Sequence, residues 1–308
     1  MDATLLLDTA RAAAAAQQYP AGALYVVGTP IGNLADLTLR AIHVLELVDV
    51  VACEDTRMTQ RLLQHLGLSK KLMAVHEHNE NQAAEQVVQA LQSGQRIAYV
   101  SDAGTPAVSD PGARLVHAVQ AAGLRAVPIP GASAVVSLLS VAGDTAAQGF
   151  AFVGFLPPKA QARMAALKAL QGSAQALVFF ESPHRVEELA RDMAAIDPER
   201  TLTVGRELTK QFEDVVRMPA GHWPAWLKDG QHARGEFAVV WHARPPEVRD
   251  DEATLPAPVL ACLSALAAHH PVKEAARLVA ELTGLPSKQL YQAALASRRH
   301  GDGATASE

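Results

Sequence analysis

The sequence predicts an α/β protein of two domains, with a parallel first domain, a mixed-sheet second domain and a small helix-turn-helix extension at the C-terminus. Three observations predict it. Short apolar runs alternate with amphipathic stretches, the rhythm of strands joined by crossover helices. At least five of these runs end in polar or glycine-rich chemistry, and in an open parallel sheet ligands bind beyond the carboxyl ends of the strands. The chain has 308 residues, enough for two domains and an appendage.

Taken in order, residues 1–21 are rich in Ala and Gln and read as a frayed or helical tail closed by Pro20 and Gly22. The first domain is expected over 22–145. Leu24-Tyr25-Val26-Val27 is its first strand, and Thr38 is placed to cap a helix whose apolar stripe is Leu39, Ile42, Leu45 and Val48. Val50-Val51-Ala52 is a second strand, and a helix carrying Leu62, Leu63 and Leu66 stops at Gly67. Leu72 to Val75 is a third strand, followed by a helix running to Gly94. Arg96 to Val100 is continuous enough in apolar residues to be buried on both faces. It opens into Ser101-Asp102-Ala103-Gly104-Thr105-Pro106 and Ser109-Asp110-Pro111-Gly112, and the following helix reads as entered at Pro111 with Asp110 as its N-cap. Ala126 to Ile129 and Pro130-Gly131-Ala132-Ser133-Ala134 repeat the strand-loop-helix pattern.

A break at Gly143 to Gly149 opens a second domain expected over 146–243, with strands at Phe150–Phe155, Ala176–Phe180, Thr201–Val204 and Phe237–Trp241. Its longer polar gaps predict some antiparallel pairing. Residues 244–258 are Pro-rich and charged, a linker; 259–300 are helical by pattern, and 301–308 read as a disordered end.

Composition narrows the function. Lys and Arg number 27 against 32 Asp and Glu, a formal charge of −5, which argues against a protein coated in basic residues for nucleic acid. A local patch remains open to RNA. Cys53 and Cys262 offer neither a disulfide framework nor metal-ligand spacing, which fits a reducing cytoplasm. With no basic leader and no apolar run of spanning length, the expectation is a soluble cytoplasmic protein that binds no membrane.

The strand-end clusters carry the chemistry. Gly28-Thr29-Pro30-Ile31-Gly32-Asn33 matches neither the dinucleotide fingerprint nor the Walker A lysine loop, so NAD enzymes and NTPases are poorly supported. Cys53-Glu54-Asp55-Thr56-Arg57 is either a catalytic cluster or a helix N-terminus with Asp55 or Thr56 capping and Arg57 pairing locally. His76, Glu77 and His78 lack a third ligand at useful spacing, so no metal is expected. His184-Arg185 and the group Arg206, Glu207 and Lys210 either hold a polyanion or form surface ion pairs.

In order along the chain, the motifs VGTPIGNLADLTLRA, CEDTR, SDAGTPAVSDPG, PGASAV, FFESPHR and RELTKQFE, with Gly235-Glu236-Phe237, resemble the ribosomal-RNA branch of the tetrapyrrole-methylase superfamily over residues 22–243. That resemblance implies a two-domain tetrapyrrole-methylase-like fold with S-adenosylmethionine in the cleft between the halves. It implies a donor pocket formed by Asp102, Ala103, Gly104, Thr105, Ser133 and Ala134 and closed by Phe180, Gly235 and Glu236. Gly28, Thr29 and Pro30 would face the methyl group and the acceptor, although the superfamily's usual G-x-G-P-G loop is here Gly28-Thr29-Pro30-Ile31-Gly32. The implied reaction is 2′-O-methylation of a decoding-centre cytidine in 16S rRNA, within the small ribosomal subunit, by a homodimer. A tetrapyrrole C-methyltransferase and a non-catalytic RNA-binding module are the alternatives.

A sulfonium methyl is already activated, so transfer to a ribose hydroxyl needs orientation and a proton acceptor. Glu54, Asp55 and Glu181 are the candidate bases; Arg57, Arg185, Arg206, Lys210 and Lys288 are the candidate phosphate contacts. Over residues 256–300, Lys273, Arg277, Lys288, Arg298 and Arg299 stand against Glu274 and Glu281, a local excess of positive charge. Val272, Ala275, Ala276, Leu278 and Val279 form one apolar face there, and the break at Thr283 to Ser287 before Leu290, Tyr291 and Ala294 makes a helix-turn-helix. That unit either docks RNA or packs as a plain helical hairpin.

Overall fold

The computed structural model describes residues 3–76, 79–229, 232–244 and 255–301, with 296–301 described in backbone only. Glu77 and His78, most of the expected linker and the segment 302–308 lie outside the described residues. The chain divides into two units, Met1–Arg244 and Pro245–Glu308.

The first unit contains two five-stranded sheets. The first is wholly parallel in the order β3-β2-β4-β1-β5, from β1 (Ala23–Val27), β2 (Val50–Cys53), β3 (Lys71–Ala74), β4 (Ile97–Val100) and β5 (Arg125–Ile129). Strands β2 and β4 are buried at every residue, as continuous apolar runs should be when helices cover both faces. The crossover helices are α2 (Leu39–Leu47), α3 (Thr56–His65), α4 (Glu80–Gln92) and α5 (Ala113–Ala121). Thr38 caps α2 as its sequence predicts, its hydroxyl accepting from the Ala41 N–H at 3.1 Å. Residues 1–21 carry helix α1 (Ala3–Ala14), whose Ala10 and Ala14 are buried, while Leu6 and Leu7 pack on the core beside α2.

Helix α6 (Ala134–Ala142) ends at Gly143 in the left-handed conformation, and the chain passes to the second sheet. Its order is β6-β7-β10-β8-β9, from β6 (Phe150–Phe155), β7 (Ala176–Glu181), β8 (Thr201–Arg206), β9 (Asp214–Pro219) and β10 (Phe237–Trp241). Only β6 and β7 run parallel; β10 is antiparallel to both neighbours, and β9 is antiparallel to β8. Helices α7 (Ala160–Leu170), α8 (Val186–Ile196) and α9 (Trp223–Lys228) complete this half, with Phe179, Trp223 and Trp241 fully buried. The break expected near 145–146 therefore separates two sheets within one compact unit.

Among the described residues the second unit is three helices, α10 (Ala257–Ala267), α11 (Val272–Thr283) and α12 (Ser287–Gly301). Val272, Ala275, Ala276 and Val279 bury the predicted face against Leu263 and Leu290, and Leu278 is half-buried. Gly284 ends α11 at φ 70°. Among the described residues no helix is long and apolar enough to cross a membrane.

Candidate functional site

Strands β1 and β4 are neighbours, but the chain leaves β1 toward β2 on one side and leaves β4 toward β5 on the other. Such a switch point opens a crevice at the carboxyl ends of the strands. Here the two exit loops are tied to each other. Thr29 and Gly104 exchange backbone hydrogen bonds of 2.8 and 3.1 Å, and the buried Thr29 hydroxyl points at the Ser101 carbonyl at 3.3 Å. Gly28 lies against Gly131 so closely that a Cβ on Gly28 would sit 2.8 Å from the Gly131 Cα.

The loop after β4 is shaped from several directions. The Thr105 hydroxyl donates to the Ala132 carbonyl at 3.3 Å, and Ala107 N–H donates to Pro111 O at 3.1 Å. Ala107 and Ser109 hold φ of 66° and 67°, a conformation L side chains avoid and functional loops often retain. Helix α5 starts at Ala113 with Gly112 as its cap residue, which corrects the expectation that Asp110 caps it. The acceptor is the buried Glu80 on α4, whose Oε1 receives the N–H groups of Gly112, Arg114 and Leu115 at 3.0, 3.1 and 3.3 Å. Asp110 is thereby free of capping duty.

A cleft of about 390 Å³ lies at this point, between the loop after β4 and the second sheet. The predicted residues Ala103, Gly104, Thr105, Ser133 and Ala134 line it from the first half, and Phe180, Glu181 and Glu236 from the second. Gly28, Thr29, Pro30 and Asp102 are not among the residues lining it; Gly28 and Thr29 brace its wall through Gly131 and Gly104. Asp102 accepts the Asp55 N–H at 3.0 Å, fastening the exit of β2 to that of β4. Gly235 sits behind the lining at φ 93°, where a Cβ would fall 2.5 Å from the Glu207 Cγ.

The basic candidates are largely committed within the protein. Arg185 Nη2 pairs with Glu181 at 3.2 Å and donates to the Leu156 carbonyl at 2.6 Å. Arg206 donates to the Arg234 and Phe212 carbonyls, and Lys210 to Glu207 and Glu236 at 2.8 and 3.1 Å. Burial would raise the Glu207 carboxyl, but Lys210, the Glu236 N–H and Arg206 outweigh it and hold it below the usual range. Arg57 pairs with Asp55 at 2.7 Å, yet its side chain is 84% exposed. Lys288 is exposed on α12 in the second unit, and the Arg298 and Arg299 side chains lie outside the described ones.

Of the candidate bases, Asp55 caps α3 through the Arg57 N–H, and its hydrogen bonds to the Arg57 side chain hold its carboxyl down at about 2. Glu54 stands outside the lining, its carboxyl raised by burial and then by Asp102 and Asp110. Glu181 is buried in the wall and ion-paired.

Residues outside the expected donor pocket also line the cleft, among them Asp110, Ile31, Val108 and Phe155. Asp110 lay inside a quoted motif, but its position before Pro111 and Gly112 signalled a cap. Among the described residues the cleft is lined by three carboxylates, Asp110, Glu181 and Glu236, and by no Lys, Arg or His. Among the described residues no group of three or more His, Cys, Asp or Glu is arranged for a metal ion.

Residues 23–223 match the family described as Tetrapyrrole (Corrin/Porphyrin) Methylases, and residues 253–298 match the RsmI C-terminal HTH domain. The chain is 45% identical over 276 residues to the Ribosomal RNA small subunit methyltransferase I of Escherichia coli O157:H7, covering 89% of this chain and 95% of that protein. The protein of the same name from Neisseria meningitidis serogroup B is 45% identical over 275 residues, covering 89% and 93%. Among solved structures, a cobalamin biosynthetic enzyme, cobalt precorrin-4 methyltransferase, aligns at a TM-score of 0.52 and 15% identity, covering 73% of this chain and 98% of that one. At that identity the likeness concerns the fold.

Proposed function

The chain belongs to the tetrapyrrole methylase family, in the branch of the ribosomal RNA small subunit methyltransferases I, and from that premise we propose that it 2′-O-methylates a decoding-centre cytidine of 16S rRNA with S-adenosylmethionine as donor. The observation that carries the donor assignment is the charge of the cleft. Of the carboxylates that line it, Glu181 and Glu236 are paired with Arg185 and Lys210, and Asp110, with no cation in the described ion pairs, supplies a negative charge that repels phosphate-bearing cofactors and suits a sulfonium or an ammonium group. Phe180, Phe155 and Leu208 give the same cleft an apolar side for a purine. Ser133 leaves the first turn of α6 uncapped by a side chain, so backbone N–H groups are available to a carboxylate there.

Bound in this way, the donor supplies a methyl group already activated for attack. The chain's own residues do the rest. Ala103 to Thr105, with Ser133 and Ala134, hold one side, and Phe180 and Glu236 close the other, excluding water and fixing direction. Thr29 and Asp102 act by keeping the two loops in register; their substitution should weaken the donor through the wall they brace.

Arg57 and Lys288 are the predicted phosphate contacts with side chains exposed enough to reach RNA, and Arg185, Arg206 and Lys210 would have to trade internal partners to do so. The substrate in this reading is the small ribosomal subunit in the cytoplasm, handled by a homodimer without a metal. Val136 and Val141 on α6 and Phe150 and Phe155 on the edge strand β6 are exposed and supply apolar surface for a second copy.

Purified protein, small ribosomal subunits and methyl-labelled donor test the reading directly. Label should appear in one alkali-resistant ribose of 16S rRNA, and label only in a tetrapyrrole precursor would remove the assignment. In the same assay Arg57→Ala and Lys288→Ala should raise the half-saturating subunit concentration and flatten its salt dependence. An unchanged salt slope would take both residues out of the RNA contact. The enzyme should sediment as a dimer, and a species of 32.6 kDa at working concentration would rule the second copy out.

A further inference from the structure

We infer that Phe212 is a stacking platform for an unpaired base of the substrate RNA, set beside the cleft on the hairpin loop that joins β8 to β9. The inference rests on the reading above, because it needs a nucleotide whose ribose has entered the cleft. Phe212 is 67% exposed, more than any other described aromatic residue. Its ring meets no other aromatic group among the described residues, and it joins none of the apolar clusters. Exposure alone would say little, since single apolar side chains are common on surfaces. The loop beneath the ring and its place beside the cleft say more.

The loop, residues 207–213, is built stiff. Glu207 and Thr209 hold φ of 51° and 66°, both in the left-handed region that L side chains avoid. Backbone hydrogen bonds run from the Glu207 N–H to the Glu236 carbonyl at 2.9 Å, from Lys210 to Glu207 at 3.0 Å and from Glu213 to Lys210 at 3.1 Å. The Glu213 carboxylate turns back to accept the Thr209 N–H at 2.6 Å. Arg206 Nη1 donates to the Phe212 carbonyl at 3.3 Å, so the residue that carries the ring is held at its own backbone. A ring presented on so fixed a loop has little freedom left to lose when a base settles on it, and the contact then adds affinity.

Place decides what the ring can meet. Leu208, at the near end of the loop, lines the cleft. Lys210 lays its stem beside Gly32 in the loop after β1, filling the space that a Cβ there would need. The chain from Leu208 to Phe212 spans at most about 14 Å, so the ring stands within reach of the nucleotide whose ribose is in the cleft and of those next to it. Phe212 is not among the residues lining the cleft, which keeps it apart from the donor. It is apart from the surface assigned to a second copy as well: its loop joins β8 to the edge strand β9, and β6, with Phe150 and Phe155, is the opposite edge of the sheet.

A 2′-hydroxyl inside a continuous stack cannot enter a cleft walled on both sides, so the target nucleotide has to be splayed out of its stack. Splaying costs stacking energy, and an aromatic side chain returns part of it because every base has a π face. The contact is carried by the ring and not by charge. Lys210, the loop's own cation, is already paired with Glu207 and Glu236, and Glu213 adds a further carboxylate. Stacking on Phe212 therefore adds affinity without releasing counterions from the RNA, which sets it apart from the contacts assigned to Arg57 and Lys288.

The test measures methyl transfer by the full chain against the concentration of small ribosomal subunits at saturating S-adenosylmethionine. Phe212→Ala should raise the half-saturating subunit concentration on the order of 10-fold, with the rate at saturation, the salt slope and the calorimetric donor affinity near wild type. Phe212→Leu should share the defect, because it is apolar without a ring, and Phe212→Trp should remove it. Wild-type half-saturation in Phe212→Ala overturns the inference. Recovery in Phe212→Leu overturns it too, since the contact would then be merely apolar, and so does a loss of donor affinity that accounts for the whole defect. A Phe212→Ala protein that sediments as a monomer where the wild type is a dimer gives the ring to the second copy and takes it from the RNA. Should Phe212→Ala lose its Tm, the comparison of Phe212→Leu with Phe212→Trp decides on the same terms. Wild-type protein that binds donor but leaves subunits unmethylated overturns the functional reading and the stacking with it; methylation indifferent to residue 212 overturns the stacking alone.

Discussion

Glu80→Ala should cost on the order of 3 kcal/mol of stability and take donor binding down with it. The side chain is 6% exposed and its Oε1 serves three amide groups at the start of α5. Removing it leaves those donors facing a methyl group with little water to replace the lost acceptor. The same amides follow directly on the loop that forms one wall of the cleft, so the damage is not confined to the helix. Glu80→Gln keeps one acceptor oxygen and should lose about 1 kcal/mol. Urea unfolding read beside calorimetry of S-adenosylmethionine binding checks both. A stable Glu80→Ala protein with normal affinity would mean that the loop holds its shape without the cap.

Gly131→Ala is expected to be comparably severe, at or above the upper end of the 1–3 kcal/mol usual for overpacking. Its Cβ would lie 2.6 Å from the Gly28 carbonyl oxygen, and backbone on a central strand exit cannot swing aside as a side chain can. Either β1 and β5 separate at their ends or the loop carrying Ser133 shifts, and both distort the cleft. Gly123→Ala is the control. Its φ of 72° carries a conformational cost, but no atom lies within 4 Å of the new methyl. Equal losses of Tm and donor affinity in the two variants would show that the close approach at Gly131 is unimportant.

The first sheet was legible in the sequence because its strands are continuous apolar runs and its loops announce themselves with Gly, Pro and Asp. Strand β9 was not: its residues alternate between exposed and half-buried, none is buried, and it lies at a sheet edge. Chemistry at the site was legible by motif and less so by role. Ala103 to Thr105, Ser133, Ala134 and Phe180 lie where the resemblance implied, on the cleft. Gly28 and Thr29 were expected at the ligand through the resemblance alone; Gly28 also lies against Gly131, a partner invisible to any local rule. The capping role expected of Asp110 failed for the complementary reason. Local chemistry made it the obvious cap, and only a residue well back along the chain, Glu80 on α4, showed the capping role to be filled.

Among the described residues the cleft is lined by carboxylates and by no Lys, Arg or His, and Asp110 has no cation in the described ion pairs, so the hold on a ligand depends on the charge that ligand carries. In the proposed reaction the donor arrives as a sulfonium and is left as an uncharged thioether. Inside a poorly polarisable cleft that loss of attraction is a difference in residence time. Spent donor should leave sooner than fresh donor, and rising ionic strength should narrow the gap between their affinities; a gap indifferent to salt would place the discrimination elsewhere.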